Sequence, residues 1–190
     1  MPKRVSSKTK FTGRVFTIRD VRVRHDDGRE FTYEISEKPG LAGSMVCALD
    51  DSGRVVLVDE YMAGIDKAEL CLPKGKVDAG ETPLAAAKRE LEEETGYVAG
   101  KMELMATVTL SPGYSNQTTN LFLATRISKA KNPARGDEWQ APQVVLMPLE
   151  KAISLALKGK ITEARAVAAL LLAKEKIVKN GKGRKRKKKK

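Results

Sequence analysis

The chain has 190 residues, of which 41% are hydrophobic, so it can bury the core of one domain and is short for two. Its single histidine and two cysteines exclude a histidine-rich zinc site and a disulfide framework. The net charge of +12 belongs to the ends, because residues 1–10 and 181–190 hold twelve of the 36 basic residues and no acids, and the other 24 balance the 24 acidic residues.

The sequence predicts neither export nor membrane insertion. The first ten residues carry positive charge but lack the apolar stretch of a secretory signal. The longest nearly pure apolar stretch, residues 166–173, is far shorter than the roughly 20 residues of a membrane span. Cys47 and Cys71 form no CxxC pair, which indicates a reducing compartment, and we expect a cytoplasmic protein.

Paired strands are predicted for the first third of the chain. After a basic tail at residues 1–10, residues 11–43 form an extension of two strands joined by a turn at residues 25–28. A second hairpin pairs residues 44–49 with residues 54–60. The apolar runs of this hairpin are typical of buried strands.

The clearest helix in the sequence covers residues 82–96. Thr82 stands at its N-cap, Pro83 at its first position and Gly96 just past its end. We then expect strands at residues 101–110, 120–127 and 144–147, with a loop at residues 111–117 and a polar segment at residues 128–143 between them. Two helices follow, at residues 149–157 and 162–178. Mixed strands around an embedded helix, with helices at the C-terminus, predict one α/β or α+β domain.

Acidic residues cluster before and inside this helix, at Glu81, Glu90, Glu93 and Glu94. The last three fall within an arc of about 100° on the helix surface. Like charges one turn apart repel by roughly 0.2–0.5 kcal/mol per pair, and a divalent cation turns that repulsion into binding. Oxygen ligands select Mg²⁺ or Mn²⁺ over zinc. The alternative is a solvated Glu/Lys helix face, and the acids alone leave both interpretations open.

The spacing of the acids resembles the Nudix box. Glu81 follows Gly75 after five residues, and after seven more comes Arg-Glu-Leu-Glu-Glu-Glu-Thr-Gly-Tyr at residues 89–97, which fits every fixed position of that motif. The stretches Leu-Pro-Lys-Gly at residues 72–75 and Ser-Pro-Gly-Tyr-Ser at residues 111–115 look like the branch that hydrolyses ADP-ribose and other nucleoside diphosphate sugars. The ADP compounds hydrolases of this branch are also similar.

The resemblance implies a fold and a division of the chain. The fold is the α/β Nudix fold, an α/β/α sandwich with a mixed central sheet and an N-terminal β-hairpin extension. Residues 1–10 are then a basic tail, residues 11–43 the strand extension and expected dimerisation segment, residues 44–180 the Nudix hydrolase domain, and residues 181–190 a disordered basic tail.

The resemblance also implies a metal site and a reaction. Glu90, Glu93 and Glu94 correspond to the family's metal-binding glutamates, assisted by the backbone carbonyl of Lys74. The expected cofactor is Mg²⁺, for which Mn²⁺ can substitute. The implied reaction is metal-assisted attack of water on a diphosphate, which yields a nucleoside monophosphate and a sugar phosphate.

Supporting and catalytic residues follow from the same resemblance. Arg89 matches the arginine that orients a glutamate, and Glu81 matches the loop acid that supports the metal site. Related enzymes often add a glutamate from a loop after the box, and we favour Glu138 for that role. An exposed acidic loop tip is an equally open interpretation of Glu138, and Glu93 is the alternative base.

The predicted substrate site departs from the family pattern. Residues 59–62, Asp-Glu-Tyr-Met, stand where the branch often has Arg-Gln-Tyr-Arg, and Gln117 stands where glutamate is common. Both changes favour a broader or different diphosphate substrate. Candidate substrate-binding residues are two lysines for phosphates, three aromatic residues for a base and two loop residues: Lys74, Lys76, Phe16, Tyr33, Tyr61, Tyr114 and Ser115. Solvent-facing lysines and core aromatics are the alternatives.

Three functions remain open at this point. The first is hydrolysis of nucleoside diphosphate sugars such as ADP-ribose by a homodimer. The second is removal of an RNA 5′ pyrophosphate or cap, in which the eight charges of residues 181–190 make weak, non-specific contact with nucleic acid. The third is a nucleotide-binding module without turnover. Intact box acids argue against the third function and the neutral body against the second, and no membrane partner is expected.

Overall fold

The computed structural model describes residues 1–37, 42–133 and 142–187, with side chains as far as Lys179. Within these residues the chain forms ten strands and three helices. In chain order they are β1 (Lys3–Thr12), β2 (Thr17–Arg24), β3 (Glu30–Glu37), β4 (Ala42–Leu49), β5 (Arg54–Met62), β6 (Lys67–Cys71), β7 (Lys74–Lys76), α1 (Pro83–Thr95), β8 (Tyr97–Thr109), β9 (Thr118–Lys129), β10 (Gln143–Pro148), α2 (Leu149–Leu157) and α3 (Ala164–Lys187).

The larger sheet is mixed and has the order β10-β5-β4-β9-β8, with β6 paired to β5 and β7 paired to β4. Only the β4–β9 pairing is parallel among the described strands of this sheet. Alternate residues of β4 point to opposite faces: Met45 and Cys47 pack with α2 and α3, whereas Val46 packs with α1. Helices therefore cover both faces, which confirms the predicted α/β/α sandwich and explains why β4 reads as an unbroken apolar run.

Helix α1 begins and ends where the sequence predicts. The Thr82 hydroxyl accepts a hydrogen bond from the Ala85 amide at 3.2 Å, and Gly96 adopts the left-handed region with φ of 67°. The buried Ser44 hydroxyl donates to the Pro83 carbonyl at 2.8 Å. This bond ties the first turn of α1 to β4, so the direction of the acidic helix is fixed against the sheet.

A second, three-stranded sheet has the order β1-β2-β3 and is antiparallel throughout. The sequence predicted a basic tail at residues 1–10 and a two-stranded extension, whereas Lys3–Thr12 is a strand paired to β2. Every residue of β1 is exposed, so it has no hydrophobic alternation for the sequence to display. Its ladder is supplemented by ion pairs such as Arg4–Glu37 at 2.9 Å and Lys10–Asp20 at 3.3 Å.

The C-terminal helix is longer than expected. The sequence predicted a helix that ends at residue 178 and a disordered tail from residue 181, but α3 continues to Lys187. The extension contains Gly181 and Gly183, which are poor helix formers, among lysines and arginines, which are good ones, and an existing helix needs no new nucleation step to extend. No helix in the described part of the chain is both long enough and apolar enough to cross a membrane.

The buried carboxylate of Glu69 joins β6 to the start of α3. It accepts hydrogen bonds from the Thr162 hydroxyl at 2.6 Å, from the Glu163 amide at 3.0 Å and from the Thr162 amide. The hydrogen bond from Thr162 holds the pKa of Glu69 below its ordinary value, although burial opposes the shift. The ionised carboxylate thus anchors the segment that leads into α3.

Glu69→Gln should lower stability in a pH-dependent way. Because the folded-state pKa of Glu69 is lowered, its contribution is present above the unfolded pKa, near 4.3, and is lost as pH falls through the folded value. We expect the variant to lose about 1–2 kcal/mol at pH 7 and the difference from wild type to shrink below pH 4. Urea unfolding at both pH values measures this. Glu150→Gln, which removes an exposed pair with Lys174, is the control, and a pH-independent loss at Glu69 would contradict the assignment.

Candidate active site

Gly75 and Glu90 lie in close contact between β7 and α1. A Cβ atom built on Gly75 would be 2.0 Å from both Cδ and Oε1 of Glu90, so any side chain at position 75 would displace that carboxylate. Gly75 does not adopt the left-handed region, so a turn conformation is not the reason for a glycine here. The glycine is required because the acidic helix packs directly on the backbone of β7.

Arg89 gathers three carboxylates around one guanidinium group. Its Nη1 donates to Oε1 of Glu90 at 2.6 Å and to Oε2 of Glu93 at 3.0 Å. Its Nε and Nη2 each donate to Glu81 at 3.1 Å, and Nη2 also reaches the Lys76 carbonyl at 3.0 Å. The hydrogen bonds to Glu81 raise the pKa of Arg89 and, in return, lower the pKa of Glu81. The predicted orienting role of Arg89 thus has a geometric counterpart.

Glu94 is the most deeply buried acid of this group, with 6% of its surface exposed. It accepts a hydrogen bond from the Lys74 amide at 3.2 Å. Burial raises the pKa of Glu94 to about 8, against the opposing effect of Lys74. A carboxyl group whose negative charge is disfavoured by burial gains from a nearby cation, because the cation stabilises the ionised form.

The donor set fits a hard divalent cation. Glu90 and Glu93 converge on the same Arg89 nitrogen, and all the side-chain donors are oxygen atoms. Within the described residues, the side chains form no ready-made group of three or more metal-binding residues. Mg²⁺ needs no such cage, because it usually keeps several waters and binds one or two carboxylates together with substrate phosphates.

A cavity of about 270 Å³ opens on the other side of β7. Its lining residues come from the starts of β4 and β9, the end of β5, all of β7 and the first turn of α3: Ala42, Gly43, Glu60, Lys74, Gly75, Lys76, Gln117, Thr118, Thr119 and Arg165. Gly75 therefore contributes to the cavity wall and also contacts Glu90. Among the described residues, no carboxylate of α1 itself lines the cavity.

Lys74 carries a largely buried ammonium group at this cavity. Its Nζ forms an ion pair with Glu60 and lies 3.4 Å from Sγ of Cys71. Burial alone would lower the pKa of Lys74, but contacts with Cys71 and Glu60 and the nearby Glu94 raise it above the ordinary value. The ammonium is therefore charged at neutral pH, and its charge is matched by Glu60.

Lys74 and Lys76 line the cavity, but the other five predicted substrate-binding residues do not. Tyr61 donates to Asp66 at 2.6 Å from an exposed position, and Tyr33 lies 3.1 Å from Nε2 of His25 on the smaller sheet. The five residues outside the lining formed by the described part of the chain are Phe16, Tyr33, Tyr61, Tyr114 and Ser115. Glu138 lies outside the described residues, so its catalytic role stays a prediction.

Sequence reasoning did not single out four side chains that line the cavity: Ala42, Thr118, Thr119 and Arg165. The last two are polar groups able to contact a ligand. In the sequence, Thr119 looks like any β-branched residue of a strand, and Arg165 looks like any charged residue on the polar face of an amphipathic helix. Neither position carries a local signal, because each acquires its place only when α3 packs over the start of β9. Gln117 was singled out in the sequence, and it does line the cavity.

Comparisons with known proteins show the family of the chain. Residues 39–170 match the model of the NUDIX domain. The chain is 31% identical to a methanol dehydrogenase activator of Bacillus methanolicus, over 90% of this chain and 94% of that protein. It is 29% identical to an ADP-ribose pyrophosphatase of Bacillus subtilis, over 88% of this chain and 90% of that protein. A crystal structure of an ADP compounds hydrolase superposes with a TM-score of 0.87 at 28% identity, covering 95% and 96% of the two chains.

Gly75→Ala should impair cation binding while leaving the fold intact. The new Cβ would collide with the end of the flexible Glu90 side chain, which can move without disturbing the core. We expect Mn²⁺ affinity, measured by calorimetry, to fall by about tenfold or more. Gly64→Ala is a matched control, because a Cβ there meets no atom within 4 Å. Equal Mn²⁺ affinity in wild type and Gly75→Ala would refute the placement of Glu90 in the metal site.

Proposed function

The chain belongs to the NUDIX family of hydrolases, and from this premise we propose that it hydrolyses the diphosphate of nucleoside diphosphate sugars such as ADP-ribose. The observation that carries the proposal is the position of Gly75. On one side of it stand the carboxylates organised by Arg89, and on the other lies a cavity that contains Lys74 and Lys76. A diphosphate needs cationic contacts for its oxygens and an acidic site for the metal, and both adjoin one residue.

Hydrolases of this family generally need a divalent metal ion. We assign Mg²⁺, or Mn²⁺ in its place, to Glu90, Glu93 and Glu94, with the Lys74 carbonyl as an additional ligand. Such an ion neutralises phosphate oxygens and lowers the pKa of an attacking water. Arg89 holds Glu90 and Glu93 in place, so that like charges stay together in the absence of the ion.

The remaining roles concern the substrate and the proton. Lys74 and Lys76 contact the diphosphate, since both line the cavity and both carry positive charge. Glu93 or Glu138 accepts the proton of the attacking water, and the products are a nucleoside monophosphate and a sugar phosphate. Of these two acids, Glu93 has a described position, within 3.0 Å of Arg89. Phe16, Tyr33, Tyr61, Tyr114 and Ser115 are proposed to contact the nucleoside part.

A second copy of the chain is the proposed partner of the smaller sheet. Phe31 and Tyr33 lie two residues apart on β3, so their rings point to the same face, and they are 45% and 41% exposed. The Ser36 amide donates to the Tyr114 carbonyl at 2.7 Å, which places this sheet beside the loop that follows β8. A partner docked on β1-β2-β3 would therefore lie close to a predicted substrate-binding loop.

The basic C-terminus supports a second candidate function, RNA 5′-pyrophosphate hydrolysis. The eight positive charges of residues 181–190 would hold a nucleic acid through its phosphates without sequence preference. We also propose a cytoplasmic location, which the two buried, unpaired cysteines support. The sugar-nucleotide function is preferred, because the charge outside the ends is balanced and the relatives include an ADP-ribose pyrophosphatase.

Incubation with ADP-ribose tests the proposal. We expect AMP and ribose 5-phosphate to appear with Mg²⁺ and not with EDTA. Glu93→Gln should lower kcat by about 100-fold or more, because it removes a carboxylate from the metal site and a candidate base. Glu92→Gln, the neighbouring acid on α1, is the control and should retain activity.

The outcomes separate the candidate functions. Turnover of ADP-ribose that is unchanged after deletion of residues 181–190 leaves the tail without a role in this reaction. Inactivity toward every nucleoside diphosphate sugar, together with tail-dependent hydrolysis of 5′-triphosphorylated RNA, would replace the first function by the second. Full activity of Glu93→Gln with Mg²⁺ would overturn the assignment of Glu93.

Light scattering coupled to gel filtration tests the assembly. Wild type should have twice the mass of one chain, and Phe31→Ser should shift the mass toward that of one chain, because it removes an aromatic contact from the proposed interface. Ile65→Ser is the control, since Ile65 is 52% exposed on the larger sheet's side of the molecule and lies outside β1-β2-β3. A wild-type mass equal to one chain would rule out the dimer.

A further inference from the structure

Arg165 is a cavity residue to which neither the motif nor the proposed metal site assigns a role. It lies in the first turn of α3 and lines the same cavity as Lys74 and Lys76. Only 25% of its side chain is exposed, so it is not an ordinary surface charge. Its half-buried guanidinium lines this cavity beside two lysines, so three cationic side chains border one space, although each of them also has a carboxylate neighbour.

The sheet register explains how Arg165 reaches the cavity. Lys76, Gly43 and Thr119 are directly paired across β7, β4 and β9, so they form one row on one face. The next core residue of β4 on that face, Met45, packs with α3, which identifies the row as lying on the α3 side of the sheet. Gly43 has no side chain, and a Cβ built there would lie 3.2 Å from the Thr119 hydroxyl oxygen, so Thr119 lies close over this glycine at the cavity wall.

Contacts with two neighbours hold the guanidinium at the edge of this space. Nη1 of Arg165 donates to the Thr119 hydroxyl at 3.4 Å, and Nε forms an ion pair with Glu163. Glu163 is itself fixed, because its Oε2 accepts the Ala166 amide at 2.7 Å. Nη2 has no hydrogen-bond partner within the described parts of the chain, so it can donate to a bound anion.

Among its described residues, strand β5 brings no cationic side chain to the cavity, although the branch pattern often has arginines at residues 59–62. That strand contributes Glu60, whose charge is already matched by Lys74. Lys76 is paired with the exposed Asp78 at 3.3 Å, and 61% of its own side chain is exposed. Arg165 is held through Nε and Nη1, and its planar fork suits two phosphate oxygens at once.

We propose that Arg165 is a phosphate-binding residue that positions the diphosphate of the substrate in this cavity. The inference rests on the proposed function for the identity of the substrate, but the anion contact itself does not require turnover. Arg165 then supplies from α3 the cationic contact that residues 59–62 of β5 do not provide. Its carbon chain and its ion pair with Glu163 set the angle from which the phosphate is approached.

Calorimetric titration of ADP in the presence of EDTA tests this contact without turnover. We compare wild type, Arg165→Gln, Arg165→Lys and Lys174→Gln, the last being a control that removes one positive charge elsewhere on α3. Arg165→Gln should bind ADP about tenfold more weakly and Arg165→Lys by an intermediate amount, while Lys174→Gln should match wild type. With ADP-ribose as substrate, Arg165→Gln should raise KM more than it lowers kcat.

The outcomes distinguish this inference from the proposed function. If wild type releases no AMP from ADP-ribose, the proposed function fails, and ADP binding still decides the role of Arg165. Equal ADP affinity in wild type and Arg165→Gln, or no ADP binding by wild type, would overturn the inference. Should Arg165→Gln fail to fold, Arg165→Lys decides, because it keeps the charge beside Glu163, and wild-type ADP affinity in that variant would also overturn the inference.

Discussion

The contact of the Arg89 guanidinium with Glu81, Glu90 and Glu93 is the interaction on which the candidate site depends. Neighbouring carboxylates on one helix repel one another, and left alone they would turn toward solvent. Arg89 draws them to one side of α1 and, through the Lys76 carbonyl, ties that side to β7. Such an ion-pair cluster adds little net stability, because desolvation offsets attraction, but it fixes where the acids lie.

Strand β7 converts this cluster into one half of a binding site. Its alternation points Lys74 and Lys76 toward α3, whereas Gly75 meets Glu90 on the α1 side. The backbone of β7 therefore lies between the two lysines on one face and the Glu90 carboxylate on the other. The cavity and the proposed metal site both adjoin Gly75, where any side chain would displace the Glu90 carboxylate, and glycine meets that requirement.

Local chemistry made much of the molecule predictable. The caps of α1 at Thr82 and Gly96, the buried run of β4 and the spacing from Gly75 to residue 97 each act within a few turns or strands, and the structure has them as expected. Strand β1 and the extension of α3 to Lys187 were not predicted, since a fully exposed strand and a basic, glycine-containing segment carry no hydrophobic period. Strand β1 forms because it pairs with β2, and the extension of α3 continues the helix that precedes it.

The sequence by itself determined the acidic cluster, its helix and the family, because each depends on residue type at short, fixed spacing. Only the tertiary structure decided that Arg165 and Thr119 share a cavity with Lys74, and that the aromatic residues Tyr33 and Tyr61 do not line it. The physical reason is the separation along the chain between the residues that interact. A helix or a cap is set by interactions between near neighbours, whereas a cavity is the space left when α3 and the starts of β4 and β9 pack together, and no residue of the cavity wall signals that packing alone.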